Sequence, residues 1–195
     1  MPLNRAEILV QATKILDEYG LSDLSMRRLA DALGVKAGAI YWHYANKQSL
    51  LAAISDQILE GIRRDELPPE EGWPTTWQAE LFAWSKELRA ALLEHRDAAD
   101  LVSSTRAAGL GELNPMDLPT EILRTNGWPH ELSAHSAGAI CHFILGHVFE
   151  EQSRQQLVLL GLIDPSESPL DEAGFDHGVR VFLAGLAAIG FLHER

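Results

Sequence analysis

LSMRRLADALGVKAGAIYWHYANK, residues 24–47, is the stretch on which the reading of this chain turns. Ser25 is a natural helix N-cap, because its hydroxyl can accept one of the orphan N–H groups of a first turn. Met26, Leu29, Ala30 and Leu33 then recur at helical spacing, and Gly34 supplies the stop. A second short helix is expected over residues 36–43, and Asn46 caps a third. Helix, glycine turn and helix, with small Ala30 where the two axes cross, is the layout of a helix-turn-helix. Such a unit offers its second helix to the major groove of duplex DNA. Ala37, Gly38 and Ala39 at the start of that helix allow close backbone approach, and Tyr41, Trp42 and His43 place three rings on successive positions, so that at least one must point outward. The Tyr hydroxyl, His43, Lys36 and Lys47 can reach phosphate oxygens, while Arg27 or Arg28 can do the same or meet a guanine edge.

Charge supports this reading once it is resolved along the chain. The whole of 195 residues carries 16 Lys and Arg against 28 Asp and Glu, a net of −12, which argues against phosphate as a partner. Residues 1–50 nevertheless hold six basic side chains and five acidic ones, and between Ser25 and Lys47 the only acid is Asp31. The excess acid therefore lies in the body, and two functional parts are expected: a DNA-binding unit over residues 1–47 and an acidic body over 48–195.

Outward from that stretch, helical spacing repeats and no strand-like alternation of useful length occurs, so the chain reads as all-α. Asn4 and Glu7 form a capping-box pair ahead of Ile8, Ala12, Ile15 and Leu16, and Gly20 ends that helix. Body helices are expected near residues 75–94, 97–106, 119–126, 131–160 and 172–193, with loops at 109–118 and 163–169. Small residues line the two last helices (Ala137, Gly138, Ala139 and Gly146; then Ala184, Gly185, Ala187, Ala188 and Gly190), which suits close helix packing and a contact between subunits. At 46% hydrophobic and 23% charged residues the composition is that of a globular protein and excludes intrinsic disorder, collagen and a disulfide scaffold. Lone Cys141 and charges at Arg5, Glu7, Lys14, Asp17 and Glu18 near the start point to a cytoplasmic protein without a signal peptide. The longest uncharged run, residues 132–149, contains three histidines and two serines and reads as a buried helix, so no membrane partner is expected.

Residues 5–62 resemble the tetracycline-repressor (TetR) family. The resemblance rests on a first helix ending in Tyr19-Gly20, on Leu24-Ser25-Met26-Arg27-Arg28-Leu29-Ala30, on Leu33-Gly34-Val35, and on Tyr41-Trp42-His43-Tyr44 with Asn46-Lys47. It extends into the body through His95-Arg96-Asp97, Thr105-Arg106, His142-Phe143, Leu145-Gly146, Glu150 and Phe182-Leu183-Ala184-Gly185-Leu186. What it implies is an all-α, homodimeric repressor that is not an enzyme: a three-helix DNA-binding unit on a larger bundle that dimerises and binds a small effector. The effector releases the protein from a palindromic operator, so operator and effector weaken each other reciprocally. Arg27, Arg28, Lys36, Ala37, Gly38, Ala39, Tyr41, Trp42, His43 and Lys47 become the expected DNA contacts. By the same resemblance Trp84, Leu88, Val102, Thr105, Arg106, His142 and Glu150 become the expected effector contacts.

The departures bear on the ligand. Val102 stands where the tetracycline-binding member has a pocket His, and Trp84 and Leu88 stand where it has an Asn and a Phe, which points away from a tetracycline–magnesium complex. A mostly apolar effector with one or two polar handles is expected, and no cofactor. Ala37 and Gly38 replace a base-reading Gln and Pro, so the operator sequence differs. Two other readings stay open: a metal-dependent enzyme built on His135, His142, His147 and Glu150, and a helical dimer that has lost operator binding. The pair His130/His135 is five residues apart, about 140° around a helix, and cannot close on one metal from one face.

Overall fold

The computed structural model describes residues 3–68, 71–166 and 170–193. Nine α-helices are present among these residues, and no strand: α1 Arg5–Tyr19, α2 Met26–Leu33, α3 Ala37–Tyr41, α4 Lys47–Leu59, α5 Thr76–Leu93, α6 Ala98–Ala107, α7 Asp117–Thr125, α8 His130–Leu159 and α9 Glu172–His193. The chain divides into two compact units, one formed by Met1–Gly61 with Ala91–Asn114 and the other by Ile62–Ala90 with Pro115–Arg195. These units are not bounded at residue 47, where the sequence places the functional division. α4 and the segment carrying α6 group with the first three helices.

In the first unit, local capping sets the helix starts. Asn4 Oδ1 accepts from Glu7 N at 2.9 Å while the Glu7 carboxylate accepts from Asn4 N, closing the capping box. Ser25 Oγ accepts from Arg28 N at 3.1 Å, and Asn46 Oδ1 from Ser49 N at 2.8 Å. Gly34 ends α2 at φ 65°, ψ 30°, a left-handed cap that glycine adopts without a Cβ clash. α1 packs on α2 and α4, α2 on α3, and α4 on α6. Ile8, Leu16, Leu24, Leu29, Ile40, Leu50 and Ile54 are fully buried, and Ala30, at 2% exposure, is the small residue of α2's inner face.

α3 is shorter than the expected 36–43. Lys36 precedes it in extended backbone without a side-chain cap, and after Tyr41 the N–H groups of His43 and Tyr44 both turn back to the Ile40 carbonyl at 2.9 Å. That turn brings Tyr44 into the core, where its hydroxyl donates to the Arg5 carbonyl at 3.4 Å. α7 in contrast begins earlier than expected, at Asp117, because Pro119 fits a first turn whose N–H groups lack helical partners.

The second unit is built on α8, which packs against α7 and α9. By length and hydropathy α8 could cross a membrane, yet Ile140, Ile144 and Val148 are buried among protein side chains. Phe82, Trp84 and Leu88 of α5 are buried, as is Phe175 of α9. The ring of Phe175 stacks near Phe143 at 5.9 Å between centroids, and Trp77 meets Trp128 edge-on at 5.4 Å.

Candidate nucleic-acid interface and effector residues

The inward face of α2 takes Met26, Leu29 and Ala30, and this leaves Arg27 exposed. Arg28 is held differently. Its Nη2 donates to Asp23 Oδ1 at 3.0 Å and its guanidinium lies 4.4 Å from the Tyr19 ring centroid, so both charge and planar face are engaged within the protein. α3 buries only Ile40, and Lys36, Ala37, Gly38, Tyr41 and Trp42 are exposed, Trp42 by 90%. Ala39 and His43 are half-buried. Lys47 is half-buried as well, with Nζ donating to the Leu21 carbonyl at 3.4 Å. The aromatic residue that anchors the core is thus Tyr44, and none of Tyr41, Trp42 and His43 is buried. The exposed Trp42 indole thus lies among small residues and the exposed cations Arg27 and Lys36.

The expected effector residues fall in both units. In the second, Trp84 and Leu88 on α5 are fully buried, whereas His142 and Glu150 lie on the exposed face of α8. In the first, Val102 and Thr105 on α6 are buried and Arg106 is half-buried. The acid that α8 turns inward is Glu151. Its carboxylate accepts a fork from Arg89, at 2.7 Å from Nη2 and 3.1 Å from Nε, with both side chains largely shielded from water. The Arg89 guanidinium also lies 5.3 Å from the Phe175 centroid. Adjacent helical residues point about 100° apart, so Glu150 and Glu151 meet different surroundings, and the partner that holds Glu151 inward is Arg89, 62 residues away.

His147 completes this cluster, edge-on to Phe175 at 5.3 Å and tilted against Phe143 at 5.9 Å. Burial holds its imidazole below the ordinary range. Arg89 pushes the same way, while Glu151, and less strongly Glu150 and Asp171, oppose it. Its buried Nε2 has no hydrogen-bond partner. Among the described residues no group of three or more His, Cys, Asp or Glu side chains converges to hold a metal ion, and His135 and His142 are both exposed.

Two family models match the chain: bacterial regulatory proteins of the tetR family over residues 8–54, and the tetracyclin repressor-like C-terminal domain over residues 68–159. The class E tetracycline repressor protein of Escherichia coli is 32% identical over 173 residues, covering 88% of this chain and 79% of its own. Among solved structures, Mycobacterium smegmatis BioQ superposes with a TM-score of 0.82 at 34% identity, covering 95% of this chain and 98% of its own. A structure of BioQ with its natural double-stranded DNA operator superposes with a TM-score of 0.73 at the same identity, covering 95% and 99%.

Proposed function

From the premise that the chain belongs to the tetR family of bacterial regulatory proteins, we propose that it is a ligand-responsive transcriptional repressor that binds duplex operator DNA through α2 and α3. The observation that carries the proposal is the exposed set Arg27, Lys36, Ala37, Gly38, Tyr41 and Trp42 around the Gly34 turn, on a stretch where residues 25–47 hold four basic side chains and a single acid, Asp31. Arg27 reads bases. Lys36, Tyr41, His43 and Lys47 hold phosphates, Trp42 packs against the sugar-phosphate wall, and Ala37, Gly38 and Ala39 let α3 sit deep. Arg28, already paired with Asp23, contributes charge and shape more than base contact. The DNA contacts thus end at Lys47, the functional division, although the compact unit that carries them also includes α4 and α6.

The body, residues 48–195, binds the effector and a second copy of the chain. Trp84 and Leu88 on α5, and separately Val102, Thr105 and Arg106 on α6, are each proposed as effector contacts, and the buried, apolar character of Trp84, Leu88 and Val102 favours an apolar molecule with a polar handle over a metal–drug complex. His142 and Glu150, exposed on α8, take part only when that face is covered. The exposed stripe Ala139, His142, Gly146 and Phe149 on α8, with Val181, Ala184, Gly185 and Ala188 on α9, is a homodimer face. The protein works in the cytoplasm as a regulator, without catalysis, cofactor or membrane attachment.

A mobility-shift titration with the duplex upstream of the protein's own coding region tests this reading. Saturable binding that weakens steeply with salt is expected, and no binding to that duplex or to any duplex selected from a random library removes the proposal.

A further inference from the structure

The loop after α6 is fastened to α4 by the side chain of Asp56. Asp56, on α4, accepts the N–H of Glu112 at 2.9 Å on Oδ1 and 3.1 Å on Oδ2, and the N–H of Leu113 at 2.9 Å on Oδ1. Two successive backbone N–H groups turned onto one carboxylate form a small anion nest. The nest depends on Gly111, whose φ of +92° turns the chain and whose missing Cβ would otherwise lie 2.9 Å from Asp56 Oδ1. A second carboxylate acts at the other end of the same helix. Asp97, the one non-glycine residue with positive φ among those described, places its side chain on the N–H of Leu21 at 2.8 Å, beside Gly20. α6 is therefore tied at its start to the α1–α2 turn and at its end to α4.

These ties bear on DNA reading because α4 and α3 are mechanically close. Lys47 opens α4 only six residues after Tyr41 ends α3, and between them Tyr44 is locked into the core. α4 packs on α1, α1 on α2 and α2 on α3, so a tilt of α4 within this unit would pass to α3 through packed helices as well as through the short 42–46 connection. Ordinary side-chain packing of α4 on α6 could slide by fractions of an ångström without consequence. A charged acceptor holding two N–H groups cannot, since an ångström of loop movement breaks both bonds.

We infer that Asp56 is a positioning residue of the regulatory response: it converts a change in the course of residues 109–113 into a change in the orientation of α4 and the reading helix. The inference rests on the proposed DNA-binding function and adds to it the residue that couples the loop after α6 to the reading helix of the same unit. It gives Gly111 a role as well, as the residue that admits the carboxylate.

Amide hydrogen exchange at Glu112 and Leu113 tests the coupling, measured by NMR on the full chain with and without the duplex that the wild-type protein selects from a random double-stranded library. In the wild type, fixing the head on DNA slows exchange at both amides by about fivefold or more, the lower end of ordinary coupling between sites. In Asp56→Ala both amides exchange faster without DNA, and the duplex adds no protection. Asp56→Asn, which keeps one acceptor oxygen, falls between. Gly111→Ala, which leaves Asp56 in place but pushes the loop away, loses the DNA response like Asp56→Ala, so the test survives if one variant folds poorly. Wild-type amides indifferent to bound duplex, or an Asp56→Ala protein that responds as the wild type does, overturn the inference and leave the repressor reading standing. Failure of the wild type to select any duplex overturns both.

Discussion

Arg28 and Asp23 are joined at 3.0 Å while Arg27, one residue earlier, is exposed. Two neighbouring arginines that look equivalent in sequence thus have different surroundings, because helical rotation sends one toward the α1–α2 turn and leaves the other toward solvent. Arg27→Ala is expected to weaken specific operator binding by about 1–3 kcal/mol and to relax base preference at one position of each half-site. Arg28→Ala lowers affinity for all duplexes alike and leaves that preference intact. Fluorescence anisotropy with the selected operator and single-base variants separates the two. Equal loss of base preference in both variants would refute the division.

The helix boundaries of the first unit are legible in the sequence because their determinants are local. Asn4 with Glu7, Ser25, Gly34 and Asn46 each set a helix boundary through bonds no more than five residues long, and all stand where expected. What was not legible depends on distant partners. α3 stops early because Tyr44 is needed in the core against Arg5, 39 residues away. Residues 91–114 belong with the first helices through bonds such as Asp97 to Leu21, and nothing in the local pattern around Asp97 announces a partner 76 residues away. Glu151 rather than Glu150 faces inward for the same reason. Periodicity shows that a helix has two faces, but only the opposing element shows which acid is matched.

The Arg89–Glu151 pair invites a stability test. Both side chains are mostly shielded, at 15% and 11% exposure, so removing one partner strands the other's charge in a poorly solvated place. Glu151→Gln is expected to destabilise by about 2–3 kcal/mol in urea unfolding, somewhat below the range for fully buried pairs because both retain some water. The double variant Arg89→Met with Glu151→Leu, which removes both charges and keeps the bulk, recovers most of that loss. If the double variant is as unstable as the single one, stranded charge is not the cause.

His147 makes stability depend on pH in a defined direction. Burial lowers its affinity for a proton in the folded chain, whereas an unfolded His titrates near 6.5. Below about pH 7 the unfolded state therefore binds more protons than the folded one, and stability falls as pH drops through that window. The loss levels off once the folded imidazole is also protonated. His147→Phe, which keeps a ring against Phe143 and Phe175 but cannot be protonated, is expected to flatten the wild-type decline in urea midpoint between pH 7.5 and 5.5. Since the chain has eight histidines, the difference between the two pH curves is the quantity to compare. Parallel curves would mean that His147 does not contribute.

Glycine-to-alanine changes on α9 separate packing within the chain from packing between chains. Inside a helix this change ordinarily stabilises by up to about 1 kcal/mol. At Gly178 the added Cβ meets the Phe143 ring, with Cε2 only 2.9 Å away, and that ring is itself held between His147 and Phe175. Overpacking wins there, and Gly178→Ala is expected to cost about 1–2 kcal/mol. At Gly185 nothing lies within 4 Å, so a single chain should gain from the same substitution. If the exposed small-residue faces of α8 and α9 meet a second copy, Gly185 is where two helices come close, and Gly185→Leu dissociates the dimer while leaving each chain folded. Sedimentation velocity with circular dichroism distinguishes the outcomes. A dimer unaffected by Gly185→Leu would place the subunit contact on another face, and an unfolded chain would mean that Gly185 already packs within its own protomer.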